Sequence, residues 1–217
     1  MAWSENTSCY LRVPPTVKDV SSGLVRLNAA TRQWHAAVDD AWLELLRPTV
    51  TVADYLAQLV RTYGLVAPFE SASRYTPGLA RLVEIGRLQR AGLIAQDLLA
   101  LDLSYSQVSS IPTCPEITMF ATMNEALGWL YVIERTTLLA DGLVRHVHHA
   151  LPQVTDATRY LETFATHADY WQTFGRILDR ATTDPGVARD IERAACDAFA
   201  IAHGWVRTPP TDTRSAV

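Results

Sequence analysis

His35 is the side chain of this 217-residue sequence with the most chemistry open to it. It stands in a run (Leu24, Leu27, Thr31, Trp34/His35, Val38, Trp42, Leu45/Leu46) that repeats at three and four, the mark of an amphipathic helix. An imidazole there is ordinarily a boundary residue with a satisfied hydrogen bond. To serve as a ligand it needs a cavity opposite, with apolar walls and few polar groups. The one segment able to supply that wall is the stretch around Leu127–Ala140. Three further histidines, His146, His148 and His149, crowd the end of another helical pattern. Two of them share a face, but neutral imidazoles without a matched carboxylate hold a metal weakly. Histidines in a last turn more often serve the helix dipole. Cys114 precedes a turn proline and reads as a loop thiol.

Much chemistry is excluded by what is missing. There is no Gly-x-Gly-x-x-Gly, no Walker A lysine motif, no Gly-x-Ser-x-Gly and no His-Glu-x-x-His. No glutamate has a histidine three residues on, which argues against a carboxylate-bridged non-heme iron pair in a helical bundle. The single lysine, Lys18, lies in the leader, so Schiff-base chemistry has no ordered candidate. A net charge of −4 gives no broad basic surface for nucleic acid. Three scattered cysteines cannot all pair within the chain, which points to free thiols and a reducing cytoplasm. No apolar run is long enough to cross a bilayer, and the first residues lack the pattern of a secretory signal.

The elements that must position His35 are helical throughout. Residues 1–22 read as an irregular leader, 23–206 as one domain and 207–217 as a disordered tail. The first helix runs from Gly23 and is stopped by Pro48. Thr51 caps a second, through about Ser73, which should kink or break at Pro68. Pro77-Gly78 opens a third that reaches about Leu103, and Ser104–Pro115 is a loop. A fourth spans Glu116 to about Ala150; its middle, Ala126–Ile133, is apolar on every side, as in an enclosed central helix. Thr155 caps a fifth through about Ala181. Asp184-Pro185 starts a sixth that ends near Val206. Strand signals are nearly absent, so the expectation is an all-α, single-domain bundle of about six helices.

Two strings resemble bacterial heme oxygenases, particularly the phytochrome-associated type. Val25–His35 is similar to that family's first helix, with Leu27, Thr31 and His35 at matching spacings and the arginine one residue early, at Arg26. Ala126–Glu134 is similar to the family's Gly-x-Leu-Tyr-Val-Leu-Glu, which leads into its distal helix. The spacing of Trp171, Phe174 and Leu178, and the closing Ala198, Phe199 and Trp205, resemble its last helices. The resemblance implies a heme held between two helices, with His35 as axial iron ligand and Thr31, Tyr131 and Leu139 lining the site. It implies oxidative cleavage of heme to biliverdin, carbon monoxide and iron, with electrons from a ferredoxin or a reductase. Basic residues would hold the heme propionates, for which Arg32 and Arg176 are candidates.

The sequence departs from the family after Glu134. Where the family has Gly-Ser-x-Leu-Gly-Gly, this chain has Arg135-Thr136-Thr137-Leu138-Leu139-Ala140. Thr136 aligns with the distal serine, and with Arg135 is the expected distal polar group. Arg135 and Leu139, four apart, should stack on one helix face. A guanidinium there must pair or turn away, because burying it alone costs several kcal/mol. Either it reaches a propionate or a carboxylate such as Asp141 or Asp39, or it and Leu139 fill the space of oxygen or of heme. The alternative function is a non-catalytic member that binds heme, another tetrapyrrole or a partner protein.

Overall fold

A computed structural model describes residues 20–84, 88–166 and 169–207, and these form an all-helical bundle without strands among the described residues. The helices are α1 (Ser22–Leu43), α2 (Val52–Arg74), α3 (Ala91–Ala100), α4 (Tyr105–Ser109), α5 (Met123–Thr136), α6 (Ala140–Ala150), α7 (Arg159–Thr166), α8 (Asp169–Ala181) and α9 (Pro185–Arg207). Most of the expected leader and all but the first residue of the expected tail lie outside the described residues.

Among the described residues nine helices replace about six. Gly78, at φ +80°, caps only a 3₁₀ turn over Leu79–Arg81, and α3 begins later, at Ala91. Ser104 and Gln107 form a capping box that starts the short α4 inside the expected loop. The expected fourth helix starts late, at Met123, where Thr122 accepts from the Glu125 amide. It then breaks at Thr137–Leu139, wound as 3₁₀. Two consecutive threonines cause this: Thr136 Oγ1 donates to the Ile133 carbonyl at 2.8 Å and Thr137 Oγ1 to that of Glu134 at 2.6 Å. Hydroxyls bound to carbonyls three residues back compete with the helical ladder. Thr155 lies in a further 3₁₀ stretch, Pro152–Ala157, and does not cap α7. That role falls to Asp97 of α3, whose carboxylate accepts from the Arg159 and Tyr160 amides, each at 2.9 Å.

By contrast, α2 stays one helix through Pro68. A proline withdraws one donor and so leaves the carbonyl four residues back unserved. That carbonyl belongs to Gly64, and the Cys114 amide donates to it at 2.8 Å. The Ser104–Pro115 segment thus supplies from outside what Pro68 removes. Thr51 and Asp54 cap the start reciprocally.

The enclosed segment of the sequence is α5, buried from Ala126 to Glu134 and packed most extensively on α9. The two backbones approach at Gly128, where a Cβ would come within 2.6 Å of the Ala195 nitrogen. Helix α1 also rests on α9 and on α8. With α1 and α5 leaning on a common support, one face of each is left to meet the other.

Candidate active site

Thr31, His35 and Asp39 lie one helical turn apart on a single face of α1. The Thr31 hydroxyl is buried and donates to the Leu27 carbonyl at 2.7 Å, so it accepts from His35 Nε2–H, 2.8 Å away. The ring also packs on Phe199 of α9, centroids 5.3 Å apart. Burial, and secondarily the charge of Arg135, lower the His35 pKa to about 4. The imidazole is therefore neutral at physiological pH, the form that binds metals.

Across from this strip, α5 presents Tyr131 and, one turn on, Arg135. Tyr131 is fully buried among Trp171, Phe174 and Phe199. Its hydroxyl lies beside Thr31 without a well-formed hydrogen bond, and burial raises its pKa. Arg135 crosses to α1 and donates from Nη2 to Asp39 Oδ2 at 2.5 Å, with the two side chains 15% and 17% exposed. Its Nε is buried without a partner. Burial pushes the Asp39 pKa up, against the opposing pull of Arg135. Of the two carboxylates named from sequence, Asp39 takes the guanidinium; Asp141 pairs with Arg145 instead.

The structure therefore brings together His35, Thr31, Tyr131 and Arg135, and adds Asp39. Thr136 is not among them: its hydroxyl serves the Ile133 carbonyl and lies toward Tyr160 of α7. Leu139 does not stack on Arg135 by an i, i+4 relation, because the 3₁₀ turn winds at about three residues per turn and shifts it round the axis. It is partly buried against the core. Arg32 is exposed on α1, and Arg176 is exposed on α8, bonded to Thr173. The histidine trio is spread out: His146 Nε2 lies 3.4 Å from the Arg47 carbonyl, and His148 bonds Thr158 and faces Glu162. No metal-binding cluster occurs among the described residues. Cys114 is buried, its thiol donating to Glu116 and its pKa pushed up to about 12 by burial.

One functional element was not visible in the sequence pattern. Glu134, next to Arg135, turns into the core and forms an ion pair with Arg90 at 2.9 Å, both side chains 0% exposed. The Arg90 guanidinium also lies 4.3 Å from the centre of the Phe164 ring. This pair holds the end of α5 where the helix turns toward α6.

The sequence matches the heme oxygenase family over residues 22–208. The chain belongs to that family. Its fold is similar to that of the heme oxygenase from Neisseria meningitidis, seen in crystal structures with NO and CO bound. The TM-score is 0.66 at 22% identity, covering 85% of this chain and 90% of that one. No curated protein sequence gives a significant match. No helix among the described residues is long and apolar enough to cross a membrane.

Proposed function

We propose that this protein binds heme between α1 and the α5–α6 segment, where His35 would hold the iron, and cleaves it oxidatively to biliverdin, carbon monoxide and iron. The observation that carries this reading is His35 itself. It is a neutral imidazole on the first helix, facing α5, in a chain of this family. The donor set around it fits a heme: one imidazole for the iron, an unpartnered Tyr131 hydroxyl, a guanidinium with a spare Nε–H, and aromatic walls from Phe199 and Tyr131.

The chain's own residues have distinct tasks. To ligate iron, His35 Nε2 must surrender its bond to Thr31 and present a lone pair, with the ring proton moved to Nδ1. Thr31 loses little, since its hydroxyl keeps the Leu27 carbonyl. Tyr131, buried among Trp171, Phe174 and Phe199, fixes the wall and excludes water. Arg135 is the charged group able to hold a propionate or orient a proton donor near the ring. When bound, heme supplies both the iron that activates oxygen and the carbon that is oxidised, with electrons from an external ferredoxin or reductase.

One observation favours a second reading, in which tetrapyrrole binds without turnover. Arg135 bridges to Asp39 across the face where the sequence pattern of the family has a glycine. Hemin added with ascorbate separates the two: progressive loss of the Soret band with a biliverdin product supports cleavage. A stable His35-dependent Soret band supports binding alone.

A further inference from the structure

The Arg135–Asp39 pair joins the two helices between which heme is proposed to sit, one turn beyond His35 on α1. It differs from an ordinary structural ion pair in three ways. Both side chains retain some exposure, so incoming solutes can reach them. The guanidinium uses Nη2 on Asp39 while Nε, on an adjacent edge of the fork, is buried with no acceptor. A carboxylate able to span two donors would satisfy Arg135 better than Asp39 does, because bidentate pairing is the stronger arrangement. Asp39, for its part, is held in a place where burial opposes its charge and Asp40 adds repulsion.

We propose that Arg135 and Asp39 form an exchangeable latch across the slot, which closes the ligand-free protein and which a porphyrin opens by offering Arg135 one of its own carboxylates. The latch rests on the heme-binding reading and makes Arg135 a specificity-determining residue within it. Porphyrins with free acid side arms release the latch. Porphyrins whose acids are esterified meet it closed. A closed state that must open first lowers apparent affinity by the fraction of molecules that are open.

The test is stopped-flow association of hemin and of hemin dimethyl ester, followed at the Soret band, with natural protein, Asp39→Asn, Arg135→Gln and His35→Ala. Circular dichroism checks that each variant is folded. Asp39→Asn weakens the latch but keeps Arg135, so hemin should associate about tenfold faster while the preference for the free acid over the ester persists. Arg135→Gln removes the guanidinium for which Asp39 and the porphyrin carboxylate compete, so the free acid and the ester should associate alike. Equal rates for natural protein and Asp39→Asn, or a free-acid preference that survives Arg135→Gln, would overturn the latch while leaving heme binding intact. A Soret response that is absent from the natural protein, or unchanged in His35→Ala, overturns the heme reading and the latch together.

Discussion

Two neighbouring residues of α5 form two ion pairs with different partners. Glu134 turns inward to Arg90, with both side chains fully removed from solvent. Arg135 turns toward α1 and meets Asp39 with about a sixth of each side chain exposed. The first pair lies in a setting where neither charge has water to fall back on. Breaking it from one side leaves an uncompensated buried ion. The second pair keeps an edge open to solvent, so either partner has an alternative to the other. One helix end thus carries a fixed anchor and an adjustable contact on adjacent positions. The difference in burial, rather than in chemistry, separates their roles.

Breaking the anchor should have the largest effect. Glu134→Ala leaves the Arg90 guanidinium buried without its countercharge and is expected to cost about 3–5 kcal/mol, read as a lowered urea midpoint. Next comes the support beneath both pairs. Gly128→Val would force side-chain atoms into the Ala194–Ala195 backbone of α9 and should cost about 1–3 kcal/mol by the same measurement. Asp39→Asn should cost clearly less than Glu134→Ala, because this pair keeps an edge open to solvent and the substituted amide still accepts a hydrogen bond. A loss as large as that of Glu134→Ala would erase the contrast between anchor and adjustable contact.

The smallest effect concerns protons. His35 has a folded-state pKa of about 4, below its ordinary 6.5, so the folded protein binds fewer protons than the unfolded chain between those values. Its contribution to stability is complete above pH 6.5 and is lost as the pH falls toward 4. NMR titration of the ligand-free protein should show a His35 midpoint near 4, rising in Arg135→Gln as the repelling charge is removed; Asp39 and the neutral Tyr131 are the other groups facing it. Asp97 runs the other way, its pKa raised to about 6 by burial, so its penalty grows as pH rises from 3.8 through 6. Asp97→Asn should therefore steepen the gain in stability across this range.

Those features were legible in sequence wherever a signal was local. The repeat around His35, the Thr51 cap, the Asp184-Pro185 start and the apolar run of α5 all depend on residues within one or two turns, and all four appear in the structure. The breaks were less legible because their causes are distant or competing. Asp97 caps α7 from 62 residues away, and Cys114 serves a carbonyl released by Pro68. Two threonines rewind the turn after α5, which shifts Leu139 round the axis. Arg90 lies outside any periodic apolar pattern, so nothing marked it as buried. A basic residue just ahead of an apolar helix, with a lone glutamate at the end of an enclosed one, is the only sequence feature that could have suggested their pairing. The Arg135 problem, by contrast, was visible as a charge in need of a partner, and Asp39 was one of two carboxylates within reach.

Coordination by His35 underlies every functional statement made of this chain, and one titration tests it most directly. Hemin added to natural protein should give a saturable, red-shifted Soret band at one equivalent, and the same titration of folded His35→Ala should lose that band. An identical spectrum for the two proteins, or no shift in either, would contradict ligation by the first helix.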